Sequence, residues 1–173
     1  MAWWRDRVCL LLSLFLLAAP AFSATPCPLE ESRARAADSP HCYFYQGTAA
    51  YRAKDFKLAA QHWNSLLVLQ NLPVDERFLQ DDARNNLGFL HYRGLGVAVS
   101  RDTAIKLWNV AFDAGHDEAA YHLCHTYADR KSGSFDPVLG PQYCREALRR
   151  YTADHGKGEN NEVVRQIRTY LKK

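Results

Sequence analysis

From Cys42 to the end of the chain, apolar residues recur three and four positions apart, Gly or Pro interrupts them at intervals, and no stretch sustains an alternation of β-branched residues. That pattern predicts helices and no sheet. The N-terminus reads differently. Arg5 and Arg7 precede an apolar run over residues 8–19, broken only by Ser13, and small residues dominate 18–24. A basic start, a short apolar stretch and a small-residue exit make up a secretory signal peptide. A membrane-spanning helix needs about 20 apolar residues, and this run gives out at Pro20. Residues 1–23 are therefore expected to be removed after Ser23, with Ala24 as the alternative. Residues 24–40 then form an N-terminal extension and 41–173 a helical domain, with no membrane insertion once the signal is gone.

The helical part repeats itself. Ala83, Leu87 and His91 are matched 36 residues later by Ala119, Leu123 and Tyr127, and Ala111 is matched by Ala147 at the same offset. A period between 20 and 50 residues marks stacked helical units, each too small to bury its apolar face alone.

Residues 83–119 carry, in order, a Leu87-Gly88 pair, a Gly94-x-Gly96-Val97 turn, Ala104, the aromatic Trp108, Ala111, and Gly115 just ahead of Ala119. This segment resembles a Sel-one-like repeat, a relative of the tetratricopeptide repeat. In that register Gly88 and Ala104 let two antiparallel helices approach closely, while Gly94, Gly96 and Gly115 serve turns and helix ends. The match departs from the family at His91, where an aromatic is usual. It departs again in the next unit, where Cys124 replaces the glycine and the connector over 129–140 is longer. Upstream, CYFYQGTAAYRAKDFKLAAQHW is similar to a tetratricopeptide-type unit, with Gly47, Ala50, Asp55-Phe56, Ala59 and Trp63 at the expected spacings.

The resemblance implies an all-α fold, a short α-solenoid of antiparallel helix pairs with units at about 41–74, 83–118 and 119–154. The second helix of the third unit is expected over 141–154, ended by Gly156-Lys157-Gly158. A last helix over about 160–171 places Val163, Val164, Ile167, Tyr170 and Leu171 on one stripe, as a capping element needs. The resemblance also implies a concave surface lined by the first helix of each pair: Phe44, Thr48 and Tyr51, then Asn85, Phe89 and Tyr92, then Tyr121 and His125. Most of these are Phe or Tyr, which anchor protein interfaces, so a protein or peptide partner is expected. The competing expectation is that the terminal helix or the extension covers the groove.

Cys9 leaves with the signal, so the mature chain keeps Cys27, Cys42, Cys124 and Cys144. An even number suits an oxidising compartment. Three pairings are open, and proximity favours Cys27 with Cys42 and Cys124 with Cys144. In the repeat register Cys124 takes the close-approach position and Cys144 falls beside the aromatic position of the second helix, so antiparallel packing would join them.

With 173 residues, one domain is expected, and 47% hydrophobic content suffices for a core. Lys plus Arg number 22 against 19 Asp plus Glu, and a net charge of +3 is too small and too evenly spread for a nucleic-acid surface. His122-x-Cys124-His125, with His116 nearby, has metal-ligand chemistry, but Cys124 points elsewhere and is expected to be oxidised. Asp81-Asp82 is expected at a helix start, facing the dipole. Gly94-x-Gly96 lacks the Lys-Ser/Thr ending of a phosphate loop, and no nucleophile elbow is present. No metal, cofactor or catalytic constellation is expected.

The expectation is thus an exported protein-binding module, a scaffold or adaptor of the bacterial periplasm. The alternative is a periplasmic immunity protein that neutralises a secreted toxin, a task some proteins with these repeats perform. A hydrolase or β-lactam-binding role, associated with cysteine-rich members, fits poorly because their cysteine spacing differs.

Overall fold

The computed structural model describes residues 39–153 and 161–172. The signal segment, Cys27 with its expected bond to Cys42, and the 156–158 turn lie outside them. Among the described residues there are seven α-helices, one short 3-10 turn and no strand: α1 (Pro40–Arg52), α2 (Phe56–Leu67), the turn Val74–Glu76, α3 (Phe78–Arg93), α4 (Arg101–Asp113), α5 (Asp117–Ala128), α6 (Leu139–Ala153) and α7 (Glu162–Leu171).

Five of the helices begin where a side chain takes up a free backbone N–H, whereas α3 follows Arg77 without such a cap. Ser39 accepts from the amide of Cys42, Asp55 from Leu58, Ser100 from Thr103, His116 from Ala119 and Asn161 from Val163. Pro40 fits the first turn of α1, where no amide is needed. Gly94 ends α3 in the left-handed region at φ 68°, its amide bonded to the Leu90 carbonyl. Two boundaries differ from expectation. α3 begins at Phe78, before the repeat register opens at Ala83, and α6 begins at Leu139 rather than 141, with Pro141 accommodated in its first turn.

Consecutive helices pack on one another, and α7 returns to lie against both α6 and α5. Within the first pair the late part of α1 meets the early part of α2, with Tyr51 and Phe56 ring centroids 5.4 Å apart, while Trp63 late in α2 donates back to the Phe44 carbonyl at 3.3 Å. The two helices are therefore antiparallel.

One device holds the first two pairs. A Cβ on Gly47 would lie 2.4 Å from Nε1 of Trp63, and a Cβ on Gly88 would lie 2.4 Å from Nε1 of Trp108. Each indole also donates to the carbonyl three residues before its glycine, Trp63 to Phe44 and Trp108 to Asn85. The absent side chain lets the ring lie flat on the helix, and the indole N–H finds the partner that a buried donor requires. In the third pair the corresponding residues are Cys124 and Cys144, joined by a disulfide with Cα atoms 4.5 Å apart. Cys144 thus takes the aromatic position itself, not the one beside it. Tyr143 instead stacks on Tyr127 and donates to Asn109 at 2.8 Å, tying α6 to α5 and α4.

Fully buried alanines at 59, 83, 104, 111, 119 and 147 keep the helices close. Gly96 serves another contact as well as its turn, since a Cβ there would collide with the backbone of Phe56 and Lys57 at the start of α2. The C-terminal stripe packs as its spacing predicts. Val164 and Ile167 are fully buried against Ala120, Cys124, Cys144, Ala147 and Tyr151, with Val163, Tyr170 and Leu171 at the margin.

Candidate binding cavity

Three odd-numbered helices and one even-numbered helix enclose a cavity of about 290 Å³. α1 contributes Thr48 and Tyr51, α2 contributes Trp63, α3 contributes Asn85, Asn86 and Phe89, and α5 contributes Glu118 and His122. The helical period explains the set: Thr48 and Tyr51 lie three apart, Asn85 and Phe89 four apart, Glu118 and His122 four apart, so each pair shares one face.

The polar groups are organised around Asn85. Its side chain is only 3% exposed. Its Nδ2 donates to Glu118 Oε2 at 3.0 Å, which ties α3 to α5. Its backbone carbonyl receives the Trp108 indole N–H at 3.1 Å. Its Oδ1 is buried and accepts from no group among the described residues. Thr48 turns its hydroxyl to the Phe44 carbonyl at 3.0 Å and so presents its methyl side to its surroundings.

His122 stacks on Trp108 with centroids 4.7 Å apart and 19° between planes, and Phe89 lies 6.0 Å away on the cavity side. Burial, with His125 and His116 as smaller causes, pushes its pKa down to about 3. The imidazole is neutral at ordinary pH, and its Nε2 lies 3.9 Å from Glu118 Oε1. The lining therefore holds one carboxylate and no Lys or Arg, among the rings of Tyr51, Trp63, Phe89 and His122.

Thr48, Tyr51, Asn85 and Phe89, four of the eight expected groove residues, meet at this cavity. The others go elsewhere. Phe44 packs against the first core cluster. Tyr92 lies over Trp108 at 5.6 Å, with its edge to His125. Tyr121 donates to Gln166 at 2.5 Å, and His125 Nδ1 lies 2.6 Å from the Tyr170 hydroxyl. Helix α7 thus covers the third unit's share of the expected groove. Burial is the main cause that raises the Tyr121 hydroxyl to about 12 and lowers the His125 imidazole.

The cavity also uses residues that the repeat register did not assign to it. Asn86, Glu118 and His122 lie one helical step round from the predicted stripe, and Trp63 reaches in from α2. The polar character of Asn85 and Asn86 in the middle of α3, and of Glu118 in the first turn of α5, was the available signal.

The His122, Cys124 and His125 side chains, close in sequence, part company: one stacks on Trp108, one forms the disulfide, one meets Tyr170. Asp81 and Asp82 also diverge. Asp81 lies in the first turn of α3 and pairs with Arg84 at 2.7 Å, whereas Asp82 meets His116 Nε2 at 3.0 Å. His116 spends its other ring nitrogen capping α5, so Asp82 orients a cap on the next pair rather than facing its own helix dipole. Among the described residues no group of three His, Cys, Asp or Glu is placed to hold a metal, and no helix is long and apolar enough to cross a membrane.

No protein-family model matches the chain, and no curated protein is significantly similar to it.

Proposed function

We propose that this chain is an exported helical-repeat module of the Sel-one-like kind, a short α-solenoid that acts as an envelope scaffold or adaptor by binding a segment of a partner protein. The cavity between α1, α3 and α5 is the binding site. The observation that carries the reading is the pairing, in one place, of aromatic walls with a buried acceptor, Asn85 Oδ1, that the described residues leave unsatisfied. An unpaired buried polar atom is costly in the free protein, and a bound segment's N–H group relieves that cost once the Asn85 side chain turns toward it. Tyr51, Trp63 and Phe89 supply apolar area of the kind that anchors interfaces.

The repeat reading draws support from the recurring glycine–tryptophan contact, Gly47 with Trp63 and Gly88 with Trp108. Export draws support from the Cys124–Cys144 bond, which an oxidising compartment sustains.

The test is selection of a random peptide library on the purified, oxidised chain, followed by titration of the selected peptides against wild type and Phe89→Ala. Peptides that bind wild type and lose at least tenfold with Phe89→Ala, at an unchanged fold by circular dichroism, support the proposal. Failure to select any peptide, or binding indifferent to Phe89, overturns it.

A further inference from the structure

Resting on that reading of the cavity as a segment-binding site, we infer that it selects a segment presenting a lysine or arginine side chain, which reaches Glu118 between the rings of Phe89 and Tyr51. Glu118 is the charged group of the lining, beside neutral groups that donate as well as accept, the Asn86 amide and the Tyr51 hydroxyl. Glu118 uses Oε2 to receive Asn85 Nδ2, its side chain stays 56% exposed, and among the described residues its Oε1 meets nothing nearer than His122 Nε2 at 3.9 Å. Asn85 Oδ1 is also without a donor among the described residues, but it is buried and not itself exposed to the cavity.

No cation in the lining answers an acidic ligand: no Lys or Arg lines it, and the buried His122 ring stays uncharged. On α3 and at the start of α5, Arg84 pairs with Asp81 and His116 with Asp82. The chain's net charge of +3 does not oppose the inference, because exposed charges more than about 8 Å away are largely screened at physiological salt.

A cation suits the rest of the lining too. Phe89 and Tyr51, both half-buried, border the cavity with aromatic rings, and such rings attract a guanidinium or ammonium through the ring quadrupole. Arginine fits the set most fully, since its planar fork supplies several N–H donors to a carboxylate such as Glu118. A carboxylate would meet Glu118 with like charge, and an aliphatic side chain would leave Glu118 Oε1 without a partner.

The experiment uses the same peptide selection, now read for residue preference, with Glu118→Gln as the variant. Gln keeps the shape and can still receive Asn85 Nδ2. The expected result is a shared Arg or Lys in the selected peptides. Its replacement by Gln, or Glu118→Gln in the protein, each weakens binding about tenfold, and the two together weaken it little further. Selected peptides that need Phe89 but carry no required basic residue overturn this inference and leave segment binding standing. If no peptide binds, or if free arginine or spermidine binds in a Glu118-dependent way while peptides do not, both fall. That last pair of outcomes includes the case in which the chain's own residues fill the cavity.

Discussion

Cys124 is bonded to Cys144 at the two positions that hold Gly88 and Trp108 one unit earlier, 36 residues back in the chain. Both solutions answer one packing problem. Where the first two pairs leave out a Cβ so that an indole can lie against the helix, the third brings its Cα atoms to 4.5 Å and fills the interval with two sulfurs. The exchange removes a large ring and an N–H donor, and it substitutes a covalent link for dispersion contact.

That equivalence predicts an interchange. Reducing the bond should cost about 3 kcal/mol from freeing a loop of about 20 residues, and replacing both cysteines with Ala should cost somewhat more, because it also leaves a void. The double variant Cys124→Gly with Cys144→Trp should recover part of that loss, because it installs the pair used by the preceding unit. Urea denaturation with and without reductant checks it: the swapped protein should unfold at one midpoint in both conditions, above that of the double-Ala variant.

Gly88→Ala sets two effects against each other. Alanine in a helix interior gains about 0.5–1 kcal/mol over glycine, but here its Cβ would come within 2.4 Å of the Trp108 ring. Overpacking of a buried ring costs about 1–3 kcal/mol, so the collision wins and the variant should be less stable. Gly47→Ala should behave alike against Trp63, whereas Gly115→Ala meets no atom within 4 Å and should lose only through its positive φ. Equilibrium denaturation of the three variants tests the ordering.

His122 should make stability fall on acidification. Its pKa is about 3 in the folded chain and 6.5 as a free group, so between those values the unfolded state binds the extra proton. Stability from this source is present above pH 6.5 and drains away as pH falls toward 3, with a slope of up to about 1.4 kcal/mol per pH unit. His122→Phe keeps the stack on Trp108 and removes the proton site. Its denaturation midpoint should vary less over that window than the wild-type midpoint.

Helix α7 should matter for stability and not for the cavity. Ile167 is fully buried against the disulfide-bearing pair, and Ile167→Ala should cost about 2–5 kcal/mol. Since α7 covers Tyr121 and His125 rather than Thr48, Phe89 or Glu118, peptide affinity of the folded variant should equal that of wild type. Titration below the variant's melting point separates the two effects.

Local pattern was enough for the helices and for much of their packing. Three-and-four spacing, caps such as Ser100 and Asn161, and glycines at Gly94 and Gly115 act within one or two turns, so the neighbouring residues determine them. The 36-residue offset carried the helix pairing, and proximity with register carried the Cys124–Cys144 bond, although Cys144 was read one place from its true counterpart. The C-terminal stripe of Val164 and Ile167 also declared itself, because amphipathic spacing is a local property.

Only the tertiary structure decided what each exposed-looking stripe faces. Tyr121 and His125 belong by register with Asn85 and Phe89, yet α7 folds back over the first two and leaves the second two at the cavity. Asn85 meets Glu118, and Asp82 meets His116, across 33 and 34 residues of chain. No periodicity encodes such contacts, since they depend on the angle at which one helix pair lies on the next, and that angle is the sum of many small packing choices at Ala83, Ala104, Ala111 and Ala119.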